Sequence, residues 1–140
     1  MGKSSLPPKI RGIVEYQLEH YHESRRQLRE AEKDILPSNT PNYSLEPVSH
    51  SEASRATENT AIKIMQDRYL AAVERNVNAI DYVLSKLKDE DKRLIDLVYW
   101  KGTQTKGGAA MALHMSRRTV YRRVDMILHA IASELGYIPE

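Results

Sequence analysis

Leu70, Val73, Val77, Ile80, Leu84 and Leu87 follow one another at intervals of 3, 4, 3, 4 and 3 residues. On an α-helix that spacing draws one apolar stripe; on a strand it would scatter the same side chains over both faces. A stripe nearly three heptads long must be buried against another helix, either inside the chain or in a second copy. Three heptads is short for a free coiled coil, which favours packing inside the chain. Ile62 and Met65 extend the stripe upstream after a slip in phase. We expect one long amphipathic helix over residues 56–87, serving dimerisation or packing.

The rest of the chain reads as helical too. Over residues 1–36, Pro7 and Pro8 suit a helix start, and Val14, Tyr21, Leu28 and Ile35 recur every seven residues, with Leu18 joining them. Arg25 and Glu32 interrupt the seam, and Pro37 ends it. Residues 37–55 carry Pro37, Pro41 and Pro47 among Ser, Asn and Thr, and read as a linker, long for a loop inside one domain. The chain has no Cys and no Phe and a single Trp, while Ala, Leu, Glu, Arg and Lys are plentiful. A β-sandwich, disulfides and thiolate metal sites are therefore excluded. The expected fold class is all-α. At 140 residues, a chain can bury about two-thirds of its unfolded surface. No apolar run approaches a membrane span, and MGKSSLPPK lacks the core of a signal peptide.

Residues 88–140 are the most informative. LKDEDKRLIDLVYWKG predicts a helix with Asp89 or Asp91 as its N-cap, Leu94, Ile95, Val98 and Tyr99 on one face, and Gly102 as its stop. A short small-residue helix follows from Thr105 to Leu113. His114 tolerates the left-handed turn conformation, and Ser116 caps a last helix ended by Gly136. A short helix, a tight turn and a second helix that opens on basic residues form a helix-turn-helix pattern. Ala109 and Ala110 allow a close crossing. At 100° per residue, Val120, Val124, Ile127, Leu128 and Ile131 share an inner arc, with Arg118 and Arg122 opposite it. Thr119 and Arg123 lie toward one flank and Tyr121 toward the other.

Charge supports the same end of the chain. Residues 1–84 hold 11 Lys/Arg and 12 Asp/Glu, and residues 85–140 hold 10 and 7, a net of +3. Four of those ten basic residues fall in 116–123 with no acid among them, a pattern that points to a polyanion. In a major groove, Arg forks onto the acceptors of guanine. Arg118 and Arg122 are thus expected to read bases, and Arg117 and Tyr121 to contact bases or backbone. Arg123, Thr105 and Lys106 are expected to hold phosphates near the Ser116 and Thr119 helix start.

Two segments carry a family resemblance. LKDEDKRLIDLVYW followed by ALHMSRRTVYRRVDMILHAIASELGY resembles the C-terminal part of RinA/ArpU-type phage late-gene transcriptional regulators, which is in turn similar to region 4 of σ70 factors. The opening IVEYQLEHYHESRRQL resembles the N-terminal part of the same regulators. The likeness covers most of the chain apart from the Pro-rich linker. It implies long N-terminal helices joined to a σ70-region-4-like helix-turn-helix, binding of promoter DNA, activation of late or packaging genes, and a place in the host bacterial cytoplasm. It carries the recognition role onto Arg117, Arg118, Tyr121 and Arg122. The chain departs from its relatives at Lys106-Gly107-Gly108-Ala109, where they have larger residues; each Gly weakens a helix by roughly 1 kcal/mol.

Other motifs in the chain carry no chemistry of their own. His20 and His22 point to different sides of a helix and do not chelate together, so no metal is expected. GTQTKGG fails the phosphate-loop order and follows no strand. No nucleophile–base arrangement emerges, so neither a catalytic site nor a cofactor is expected, and Tyr99 and Trp100 read as core or partner-facing aromatics. The N-terminal helices are expected to dimerise or to contact RNA polymerase. Two rivals use similar parts: a small terminase subunit that recognises phage DNA for packaging, and a σ-like or anti-σ factor that binds polymerase without DNA.

Overall fold

A computed structural model of the chain describes the backbone of residues 6–35 and 50–138, and the side chains of 6–33 and 57–138. The described residues form six α-helices and no strand: α1 (Pro8–Glu19), α2 (Tyr21–Ile35), α3 (His50–Lys86), α4 (Asp89–Ile95), α5 (Lys106–Ala112) and α6 (Arg117–Glu134). A π-helical turn, Asp96–Trp100, extends α4. The expected linker lies outside the described residues over 37–49, and α3 begins at His50, earlier than the expected 56.

The expected single N-terminal helix is corrected to two. The break falls at His20, whose backbone (φ −96, ψ 11) leaves the helical region. Its cause comes from elsewhere in the chain. The indole Nε1 of Trp100 donates to the Leu18 carbonyl at 3.0 Å, and a side chain set into the helical hydrogen-bond ladder bends a helix. The Tyr21 ring then stacks on Trp100 with centroids 5.6 Å apart.

The N-cap expectation for α4 is also corrected. Lys88 is the N-cap, in extended conformation and without a side-chain bond. Asp89, Glu90 and Asp91 fill the first turn instead, where their charge meets the positive end of the helix dipole. The π turn closes with a bond from the Lys101 N–H to the Asp96 carbonyl at 2.7 Å. On this turn Tyr99 and Trp100 face α1. The Tyr99 hydroxyl donates to Glu15 Oε2 at 2.7 Å, and burial and that carboxylate push the Tyr99 pKa up. Gly102 ends the segment in left-handed conformation (φ +62), as its position predicted.

One buried cluster joins all of these elements. It runs from Val14 and Leu18 on α1 and Tyr21 on α2, through Val73, Val77, Ile80 and Val83 on α3, to Leu94, Ile95 and Tyr99. It then reaches Ala109 and Ala110 on α5 and Val120, Val124, Ile127, Leu128 and Ile131 on α6. The stripe of α3 is therefore packed inside the chain, against α2 and α6: Val73, Val77 and Ile80 are buried, and Leu84 and Leu87 are partly buried against the same cluster. The Tyr21 hydroxyl, which donates to Asp81, ties α2 to α3. Arg11 Nη1 donates to Asp125 Oδ1 at 2.7 Å and ties α1 to α6. Among the described residues no helix is long and apolar enough to cross a membrane.

Candidate nucleic-acid interface

Four residues separate α5 from α6, and each has a local reason to be there. Leu113 is buried and closes α5. His114 takes the left-handed conformation (φ 55), the only non-glycine among the described residues to do so. The Met115 N–H then returns to the Ala110 carbonyl at 2.9 Å. Ser116 caps α6: its Oγ accepts from the Thr119 N–H at 3.1 Å and donates to Thr119 Oγ1 at 2.8 Å. Thr105 does the same for α5, accepting from the Gly108 N–H at 3.0 Å. Where α5 meets α6, Ala109 and Ala110 are buried. At the far end, Gly136 (φ +79) donates to the Ser133 carbonyl and Tyr137 N–H to that of Ala132, the paired bonds of a Schellman stop.

α6 buries one side and offers the other. Val120, Val124, Ile127, Leu128 and Ile131 are all buried, as their arc predicted. Arg117, Arg118, Tyr121 and Arg122 are exposed. The expected site residues divide into three groups. The first is the exposed face just named, joined by Lys106, whose Nζ sits 5.1 Å from the centroid of the Tyr121 ring. That cation–π contact places a charge of α5 beside the outer face of α6. The Arg117 side chain also leans on α5, because a Cβ at Gly107 would lie only 3.4 Å from Arg117 Nε.

The second group is the capping pair. Ser116 and Thr119 are tied to each other, as is Thr105 to Gly108, so their side chains build the frame of the turn. The third is Arg123, whose placement differs from expectation. Its Nη1 donates to Glu90 Oε1 at 2.6 Å and Asp91 Oδ1 at 3.1 Å, which raises its pKa. The flank of α6 that carries Arg123 faces α4, so the residue clamps two helices and is not part of the outer face.

This ion pair and that of Arg11 with Asp125 shape the charge of the module. They pair off Asp125 of α6 and Glu90 and Asp91 of α4. Among the described residues, Arg117, Arg118, Arg122 and Lys106 form no ion pair within 4.0 Å. Four cations on one surface without a carboxylate partner can take phosphates or base acceptors. Sequence reasoning missed the two ion-pair clamps and the Lys106–Tyr121 contact. Each joins residues of different helices, and their spacing in the chain carries no signal.

Elsewhere, the described residues contain no group of three or more His, Cys, Asp or Glu placed to hold a metal ion. The glycine pair of α5 has local partners. A Cβ at Gly108 would run into Gln104 Oε1, and Gly107 leaves the room that Arg117 occupies.

No curated protein and no solved structure matches the chain. The model of a family described as "Protein of unknown function (DUF722)" matches residues 17–133, from the end of α1 to the last turn of α6. With most of its length covered, including every element that builds the exposed face, the chain belongs to the DUF722 family.

Proposed function

We propose that the chain is a sequence-specific duplex-DNA-binding protein, a phage transcriptional regulator of the RinA/ArpU type that lays the outer face of α6 in the major groove. The observation that carries this reading is the division of α6. Its inner stripe is sealed in the core, while Arg117, Arg118 and Arg122 stand exposed with no acid paired to them among the described residues. A solvated charge run on a surface helix ordinarily interleaves acids with bases; this face does not. Arg118 and Arg122, four residues apart, read guanine edges, each good pair worth about 1–3 kcal/mol of discrimination. Lys106 and Arg117 hold the backbone beside them. The σ70-region-4 likeness, like the role in late or packaging gene activation, rests on the motifs quoted above.

Selection of bound duplexes from a random pool tests the reading. A defined consensus should emerge, and affinity should fall steeply with salt as phosphate contacts release counterions. A pool that stays random, with binding insensitive to salt, would refute it. The two rivals give other results. A small terminase subunit would assemble into a ring of many copies. A σ-like or anti-σ factor would bind polymerase with no duplex preference. A groove of about 320 Å³ between α3, α4 and α6, lined by Tyr82, Leu87, Met126 and Ala130, is the feature that favours a protein partner.

A further inference from the structure

α6 carries two acids, Glu134 in its last turn and Asp125 on its outer side. At 100° per residue, Asp125 lies about 20° from Arg118 and about 60° from Arg122, outside the buried arc. It follows Arg122 by three residues, the spacing at which opposite charges on a helix meet. Helical side chains lean toward the N-terminus, so the Asp125 carboxylate lies over the turn that carries Arg122. Arg122 and Asp125 border one shallow surface depression, together with Met126 and His129. Left to itself, this acid would hold the Arg122 guanidinium and repel a phosphate brought against the same face.

The carboxylate is instead bound from the side. Arg11 reaches across from α1, and its Nη1 donates to Asp125 Oδ1 at 2.7 Å. Among the described residues, Asp125 pairs within 4.0 Å with Arg11 and not with Arg122, and Arg122 has no ion pair. Arg11 is itself steadied. Its Nε lies 3.9 Å from Glu15 Oε1, and the other oxygen of Glu15 accepts from Tyr99. The Arg11 side chain is 25% exposed and that of Asp125 38%, so the pair is partly shielded from the solvent that weakens surface ion pairs. A run of polar contacts thus leads from the buried Tyr99 through Glu15 and Arg11 to the outer face of α6.

We propose that Arg11 is a positioning residue for that face: by holding Asp125 it leaves Arg122 free to take a base, which makes α1 a control on DNA binding. The inference rests on the DNA reading of α6 and adds a regulator to it. Whatever draws α1 away from α6 returns Asp125 to Arg122 and silences the face.

Affinities of the full chain and its variants for the selected and for a scrambled duplex, at one salt concentration, test the proposal. Arg11→Met keeps the stem and removes the charge. It should lower the preference for the selected duplex about tenfold, on the order of one lost guanine contact, with unchanged helical circular dichroism. Adding Asp125→Asn should restore the preference, because an amide has no charge to offer Arg122. Asp125→Asn alone should bind no more weakly than the wild type. Adding Glu134→Gln to Arg11→Met returns the same net charge about 13 Å farther along α6, and should restore nothing. In a chain that already carries Arg122→Ala, Arg11→Met should leave the preference where it is. An ion pair that only braces α1 on α6 gives a different pattern: each single substitution harms, and the double variant stays as weak as either. That pattern, or an Arg11→Met chain that discriminates as well as the wild type, would overturn the role of Arg11 and leave the DNA reading standing. A wild type that prefers no duplex would overturn the DNA reading and the role of Arg11 with it.

Discussion

His114, Arg123 and Tyr99 show how single residues set the geometry of the module. His114 is in the left-handed region at φ 55, where most side chains strain the backbone and a short polar one is tolerated. Arg123 belongs to the scaffold. Its substitution by Ala should lower stability by about 1 kcal/mol or less, because Glu90 is well exposed to solvent, and should leave the preferred DNA sequence unchanged. Thermal melts and a repeated duplex selection check both halves of that expectation. Tyr99 carries part of the alkaline pH dependence, beside Tyr21, whose pKa burial and Asp81 also push up. Burial first, and then the Glu15 carboxylate, raise the Tyr99 pKa above the ordinary 10.0. The folded chain thus holds the phenol proton more tightly than the unfolded chain. The stabilisation is whole below pH 10 and is lost as pH rises above it. Denaturant titrations from pH 9 to 11 should show stability falling faster for the wild type than for Tyr99→Phe.

At the scale of elements, Trp100 has the widest reach. Its indole bond to Leu18 and its stack on Tyr21 dock the N-terminal helices on the π turn. Trp100→Phe keeps a ring and loses the donor, and should cost about 1–2 kcal/mol in chemical denaturation. As the only Trp, it should emit at shorter wavelength when folded than when unfolded. These long-range contacts mark the limit of what the sequence discloses. The inner stripe of α6, the Ser116 cap, the left-handed His114 and the glycine stops at 102 and 136 were all legible, because each is set by neighbours within a turn or two. The break at His20, the π turn and the Arg123 clamp were not. The break and the clamp bring together residues 82 and 33 positions apart, and the π turn docks Tyr99 on Glu15, 84 positions away. The exposed face of α6 was legible from angle alone. That Asp125 and the Glu90–Asp91 pair would be neutralised by other arginines was not.

At the scale of the whole molecule, the described residues share one core, and α6 depends on it. Val14, Leu18 and Tyr21 of the first two helices are buried in the same cluster as Val120 and Val124. Burying each is worth about 1.5–3 kcal/mol, so together they represent much of the roughly 5–15 kcal/mol that stabilises a domain. The full chain should therefore unfold in one transition, with Trp100 fluorescence and circular dichroism coincident. A fragment of residues 88–140 should show no cooperative melt. The proposed reading of DNA rests on the division of α6 into a sealed side and a cationic side. It is tested most directly by the ratio of affinities for the selected duplex and for a scrambled one, in the wild type and in a chain with both Arg118→Ala and Arg122→Ala. The wild type should prefer the selected duplex by two orders of magnitude or more, on the order of the 1–3 kcal/mol per arginine expected of guanine contacts. The double variant should fall to a ratio near unity while keeping its fold and a salt-dependent affinity for both duplexes. A double variant that discriminates as well as the wild type would contradict the assignment of α6 as the reading helix.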